Sequence, residues 1–509
     1  MSSRVNTIAK NTILLYIRTF VTMLIAIYAS RVLLDKLGVE NFGIYNLVGG
    51  VVAMFASLRG VFSQSVQRFL NFEKGKGEKE RVNIIFNISL LVHIALALIF
   101  VIVVAVFGHY FIVNKLVLPE GKIGIALIVF YTSLFSSVFT IITIPYDSVI
   151  IANEKFDFYA WMSILESVSK LAIIYLITMT KYDSLIVYSV LLMVVIILFR
   201  VFHIVYSFRF EECKLQLCWD KQTFNDLASF SGWNFLGNTA FSLTNEGINI
   251  VINMFAGVGV NAARGIAYQV KSAVQQVSAN LVVAARPYIT ESAATKSLDT
   301  MFGYTVKVSR LSFLVMILTS MPIIVFAKDI LNIWLVEVPD YAVLFVQLVM
   351  IHLVARSPQS AIDLLFSSIG KMKWYQIVQS ITLFLSLPLS YLLLKIGMPV
   401  YWAFISMVIV EVITLCAIVY CAKIEVAFSL RYYWNGFLKM MLLAILIFTT
   451  LGFTLYHYLI PNSIVTFILY FIVTVILELI ITYFILLTKQ ECSFVNSLVF
   501  KFLKVKSNI

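Results

Sequence analysis

Residues 224–290 read FNDLASFSGWNFLGNTAFSLTNEGINIVINMFAGVGVNAARGIAYQVKSAVQQVSANLVVAARPYIT. Each half, on either side of the AGVG break, is long enough to cross a bilayer, yet both carry polar residues that hydrocarbon does not tolerate. On the first half Asn234, Asn238, Ser242, Asn245, Asn249 and Asn253 recur at steps of three and four, which is one face of one helix, with Glu246 beside it. On the second, Arg264, Tyr268, Lys271, Gln275 and Ser278 repeat the pattern. An ionised side chain at mid-bilayer costs at least about 2.5–3.5 kcal/mol, so such faces belong against protein or a water-filled cavity. The pair is therefore expected to line an aqueous, cationic cavity.

Working outward, 509 residues of which 61% are hydrophobic and 13% charged exclude a soluble domain and indicate an all-α polytopic membrane protein. Apolar runs of about twenty residues predict fourteen helices. In the first half these are 11–34, 41–70, 82–107, 123–144, 158–179 and 184–208. The polar pair 224–255 and 260–289 follows, then 301–326, 341–369, 374–394, 399–421, 434–456 and 463–487. The basic start at Arg4 and Lys10 runs into a full-length span, so the first helix is expected to stay in place as its own insertion signal.

The net charge of +12 matters by its placement. Lysines and arginines crowd the connections on one side, at 74–81, 209–221, 371–373 and 489–506, whereas the other side holds few. Both termini are accordingly expected in the cytoplasm. Nucleic acid is not an expected partner. Four of the five cysteines fall in or beside cytoplasmic segments, so reduced thiols are expected.

LGVENFGIYNLVGGV from Leu37 is similar to AGVGVNAARGIAYQV from Ala256, and 218 residues separate both Arg68 from Arg286 and Glu73 from Glu291. Six helices fit that period, which implies two parallel six-helix lobes. The expected division is an N-lobe at 1–208, a polar cytoplasmic linker at 209–223, a C-lobe at 224–421, two additional helices at 434–487 and a cytoplasmic tail at 488–509.

Arg18, Arg59, Arg264, Lys271 and Arg356 lie inside spans of both lobes, against few acids, chiefly Glu246 and Asp363. A cavity with surplus guanidinium favours an anion, and arginine's planar fork suits phosphate. Arg31, Arg68 and Arg286 sit near helix ends, where snorkelling explains them. His352, Arg356, Gln359 and Asp363 share helical spacing interrupted by Pro358, which is expected to kink that helix beside the cavity. A packing pair of Arg356 with Asp363 is the plainer alternative. Glu166 and Lys170 are expected to form an intrahelical ion pair, while Glu411, alone in its span, is open to protonation or to a partner on another helix. No Gly-rich phosphate loop is present, and the five histidines are scattered without metal-ligand spacing. The outward loops, the longest at about 108–122 and 327–340, leave no room for a catalytic domain.

The opening NTILLYIRTFVTMLIAIYASRVLLDKLGVENFGIYNLV (Asn11–Val48), FSQSVQRFL at 62–70 and the stretch 231–291 resemble the multidrug/oligosaccharidyl-lipid/polysaccharide (MOP) exporter superfamily, in its polysaccharide transporter and O-antigen flippase branch. The resemblance implies two MATE-like six-helix lobes alternating between inward-open and outward-open states. It implies no enzyme but a carrier in the bacterial inner membrane for an undecaprenyl-pyrophosphate-linked sugar, working beside lipids and other polysaccharide-assembly proteins. On this reading Arg18, Arg59, Arg264, Lys271 and Arg356 meet the substrate's anion, with Asn234, Asn238, Asn245, Asn249 and Gln275 as polar lining. Glu246 and Asp363 couple an ion, H⁺ or Na⁺, with no other cofactor. A cation-coupled multidrug exporter of the same superfamily is the alternative, disfavoured because bases exceed acids. A membrane glycosyltransferase or ligase is a further one, disfavoured by the short outer loops.

Overall fold

The computed structural model describes residues 2–56, 66, 69–70, 73–74, 78–153, 155–216, 218–295, 298–369, 371–493 and 496, with the backbone alone described at 2–13, 15–16, 51, 53–56, 79, 226–241, 277–295 and 298. Among these residues the regular structure is helical throughout. The order begins α1 (Ser2–Ala56), α2 (Lys79–Asn114), α3 (Ile123–Ile142), α4 (Ile144–Ala152), α5 (Phe156–Leu176), α6 (Ser184–Ser207) and α7 (Lys221–Thr295). It continues with α8 (Leu298–Val325), α9 (Ala327–Trp334), α10 (Ala342–Arg356), α11 (Gln359–Ile369), α12 (Met372–Phe384), α13 (Ser386–Lys395) and α14 (Trp402–Val426). Last come the short α15 (Leu430–Tyr433), α16 (Lys439–Tyr458) and α17 (Ile464–Ile481). Twelve stretches of the described residues are long and apolar enough to cross a membrane.

Two of those twelve hold a sharp kink. In α1 Gly38 has φ 72° and ψ 167°, and in α7 Gly257 has φ 74° and ψ −177°. Each marks the join of two helices, so the count of fourteen runs read from the sequence is roughly that of these twelve spans with two of them divided; most of the 41–70 run beyond Ala56 lies outside the described residues. The kinks occupy matching positions of the two similar segments, 219 residues apart, and share one backbone conformation. That conformation is essentially restricted to glycine. A Cβ at either position would meet nothing within 4 Å, so the penalty for a side chain is the backbone's alone. Gly257→Ala is expected to cost about 1–3 kcal/mol, measured as lost thermal stability of the detergent-solubilised protein. An unchanged midpoint would show that the kink tolerates a Cβ.

The chain groups into two compact units. The first comprises Met1–Gln269, Trp334–Phe345 and Gln376–Val410, the second Val270–Ile333, Val346–Tyr375 and Glu411–Ile509. Compactness thus divides the chain differently from the sequence repeat, because α7, α10, α12 and α14 each contribute to both units.

In the first unit α1 packs along α5, and α3 packs against α2, α6 and α1. The stretch after the Gly38 kink meets α7 through small residues: a Cβ on Gly43 would overlap the Val258 carbonyl, and one on Gly265 would lie 2.8 Å from the Asn46 amide carbon. Glycine at such points lets polar helices approach closely enough to bond. Leu98, Ile102 and Val106 form an exposed stripe on α2, as lipid contact requires. The α6 start is capped by Asp183, whose carboxylate accepts from the Leu185 amide at 2.9 Å.

The 209–223 linker is docked more firmly than its polarity suggests. Asn83 Nδ2 donates to the carbonyls of Glu212 and Lys214 at 2.9 and 2.8 Å. Asn87 accepts from the Gln216 amide at 2.9 Å. Cys213 packs into the core formed by Phe86, Leu90 and Tyr146. Burial, and then Glu212 beside it, push its thiol up to about 12.

In the second unit α8 is central, packed by α11, α16 and α17. Arg310 of α8 donates to Glu491 Oε1 at 3.1 Å and to the carbonyls of Gly436 and Leu486 at 2.8 and 3.0 Å. Those two carbonyls belong to single π-helical turns, Trp434–Leu438 and Thr482–Leu486, so one guanidinium fastens the last two spans to α8. Both loops expected to be longest are shorter. Helix α2 runs on to Asn114, since nothing before Pro119 breaks it, and 327–334 is the helix α9, with Ala327 and Leu331 buried.

Candidate functional site

The polar stripe of α7 becomes a buried network within the first unit. Arg264, 4% exposed, lies 3.6 Å from Glu246 Oε2 and donates to the Asn245 carbonyl at 2.6 Å. Its guanidinium carbon stands 3.9 Å over the Tyr268 ring, a cation–π arrangement strengthened by exclusion of water. Asn245 Nδ2 donates to Glu246 Oε1 at 3.1 Å. Asn261 Nδ2 donates to the side chain and carbonyl of Asn249 at 2.7 and 2.8 Å. Gly50 lets this network close, because a Cβ there would lie 2.7 Å from both Glu246 Oε2 and Asn249 Nδ2. Asn253 is also buried and exchanges two bonds with Val117, at 2.9 and 3.1 Å, clamping the loop after α2. Asn249 and Asn253 are therefore satisfied by protein, whereas Gln275 is exposed.

The second unit holds a different cluster, at the helix break predicted from Pro358. The chain leaves α10 at Arg356 and resumes at Gln359. Glu411 of α14, 1% exposed, accepts from His352 Nε2 at 3.0 Å and from Arg356 Nη1 at 3.4 Å. Gln359 Nε2 donates to the Glu411 backbone carbonyl at 3.2 Å. Lys271, 6% exposed, acts electrostatically on both Glu411 and His352. Two permanent cations and a histidine thus converge on one buried carboxylate. Asp363 is half-buried one helical segment further on.

A third network was only partly legible. Glu166 and Lys170 form the expected pair at 2.6 Å, but Glu166 also binds Arg200 Nη2 at 2.6 Å. Arg200 lies 3.5 Å from Asp147, which in turn lies 2.6 Å from His203 Nδ1. Asp147 follows a proline at a span's end and Arg200 sits in an otherwise apolar run; those were the available signals. Arg18 is half-buried, with its guanidinium carbon 5.1 Å from the Tyr159 ring centroid. Arg59 and the side chains of Asn234 and Asn238 lie outside the described residues. Among the described residues no group of three or more His, Cys, Asp or Glu could hold a metal ion.

Residues 8–293 match the family model described as polysaccharide biosynthesis protein. No curated protein matches the chain in sequence. Solved structures share its fold. An inward-facing multidrug resistance MATE family transporter of the MOP superfamily aligns with TM-score 0.66 and 14% identity, over 81% of this chain and 98% of that one. The lipid II flippase MurJ, in an inward closed conformation, aligns with TM-score 0.66 and 15% identity, over 92% and 99%. A MOP superfamily transporter from Pyrococcus furiosus, described as having a binding pocket of reverse polarity, aligns with TM-score 0.61 and 14% identity, over 83% and 95%.

Proposed function

This chain belongs to the polysaccharide biosynthesis protein family, and from that premise we propose that it is a transporter of an undecaprenyl-pyrophosphate-linked oligosaccharide, an O-antigen or capsule repeat unit. It works in the bacterial inner membrane, with both termini in the cytoplasm, by alternating access. The family match over residues 8–293, on a chain with the MOP fold, is the observation that carries this reading. It is not an enzyme, and its other partners are membrane lipids and polysaccharide-assembly proteins.

The chemistry of the substrate suits the second-unit cluster. A pyrophosphate is a compact anion, and Lys271 and Arg356 are the basic side chains that would meet it there, with Arg18 and Arg59 the further cations of this reading. Glu411 holds Arg356 in place until a stronger anion competes for it. Moving a negative substrate outward is favoured by an inside-negative potential, by about 2.3 kcal/mol per charge per 100 mV. The potential is therefore the proposed driving force. An H⁺ or Na⁺ coupled at Glu246 has to compete with Arg264, 3.6 Å away, and Asp363 is the second acid of that coupling.

Proteoliposomes loaded with a fluorescent polyprenyl-pyrophosphate oligosaccharide provide the test. The protein should move the label between leaflets, and an imposed potential should speed it. Lys271→Gln and Arg356→Gln should each lower that rate at least about tenfold, the effect of losing one charged contact of about 1.4 kcal/mol or more, at normal levels of inserted protein. Wild-type rates in both variants would remove these residues from the site.

A further inference from the structure

Three glutamates deep within the spans are ion-paired: Glu166 with Lys170 and Arg200, Glu246 with Arg264, Glu411 with His352 and Arg356. Glu478, in α17, is built differently. It is 0% exposed, and among the described residues neither carboxylate oxygen has a hydrogen-bond partner.

Among the described residues, the groups on the elements packed against it leave no buried, uncommitted cation to balance a charge. On α8, Arg310 is committed to Glu491 and to the carbonyls of Gly436 and Leu486, while Asp299 and Lys307 are exposed. On α16 the titratable groups are Lys439, Tyr456, His457 and Tyr458, all exposed, and beyond α17 Lys489 is exposed as well. Lys328, just past the Phe326 ring that packs on Phe467 of α17, is also exposed, and Asp329 beside it is an acid. On Glu478's own face Thr474 spends its hydroxyl on the Tyr470 carbonyl at 2.8 Å. An unaccompanied carboxylate at that depth costs at least about 2.5–3.5 kcal/mol, which binding a proton removes.

A way in for that proton adjoins the carboxyl. Thr482, one turn on, is 5% exposed with a hydroxyl that has no partner among the described residues, and it opens the π turn Thr482–Leu486. Single π turns frequently accompany functional sites. Thr482 lines an apolar groove with Leu479, Tyr483 and Leu487, and Tyr483 and Leu487 also line a recess of about 450 Å³ at Lys489.

We propose that Glu478 is a proton-binding site, neutral at neutral pH and exchanging its proton through Thr482 at the π turn. The site is separate from the ion-paired glutamates and does not depend on what the protein transports.

Infrared spectroscopy of the full-length protein in lipid nanodiscs tests this. At neutral pH the wild type should show the carbonyl stretch of a protonated carboxyl that Glu478→Gln lacks. In the wild type that band should disappear on alkaline titration, and Thr482→Val should slow its loss after a pH jump. Glu478→Asp, which keeps a carboxyl, should shift the band without deleting it, and serves if the glutamine variant does not fold. Identical wild-type and Glu478→Gln spectra at neutral pH would mean that Glu478 is ionised, and the proposal fails. A band that persists throughout the alkaline titration would mean a permanently neutral structural acid, and the proposal fails equally.

Discussion

Glutamine in place of Glu411 is expected to cost the protein about 3–5 kcal/mol of stability, the loss typical when one member of a buried ion pair is removed. The carboxylate is 1% exposed and is the shared acceptor of His352 and Arg356, with Lys271 acting on it electrostatically. Glutamine keeps the shape and removes the charge, so buried Lys271 and half-buried Arg356 are left with less to balance them. Their mutual repulsion then acts across a medium that screens poorly. Thermal or denaturant unfolding of the purified variant measures the loss. A change within the roughly 0–1 kcal/mol seen for exposed pairs would contradict the buried arrangement.

The second large effect concerns Glu246 and Arg264. Each single variant, Glu246→Gln or Arg264→Gln, should be destabilised and should fail to transport. The double variant should recover part of the stability, with a coupling energy of about 0.5–3 kcal/mol as found for residues in one network. Recovery follows because Arg264 is 4% exposed and Glu246 lies 3.6 Å away, so either alone is an uncompensated charge in a closed network. If Arg264 also meets the substrate's anion, the double variant regains stability without regaining transport. Strictly additive losses in the cycle would mean that the two side chains do not act as a pair.

The spans were legible because length and apolarity alone specify them, and a bilayer permits few alternatives to a helix. The kinks were legible only as a short repeat: LGV at 37–39 and AGV at 256–258 look alike as text, while the shared positive φ of Gly38 and Gly257 is a property of coordinates. For the polar stripe, helical spacing puts Asn245 with Asn249, and Arg264 with Tyr268, because (i, i+3) and (i, i+4) neighbours are fixed by helix geometry. Spacing could not say what faces them across helices. Asn261 binds Asn249, Asn253 clamps Val117 and His352 binds Glu411, and each of those partners is set by packing between helices or across a kink. The same limit hid Arg200, whose two carboxylates come from α4 and α5. A charge in an apolar span announces that a partner or a cavity exists, but sequence alone does not say which.

The proposed function is the movement of a completed lipid-linked oligosaccharide from one leaflet to the other. Deleting it from its host and locating the lipid-linked repeat units by leaflet is the most direct measurement. Completed units are expected to accumulate on the cytoplasmic leaflet, with wild-type protein clearing them and the Lys271→Gln and Arg356→Gln variants failing to. Units that are truncated, or completed units that reach the outer leaflet at the wild-type rate, would contradict it.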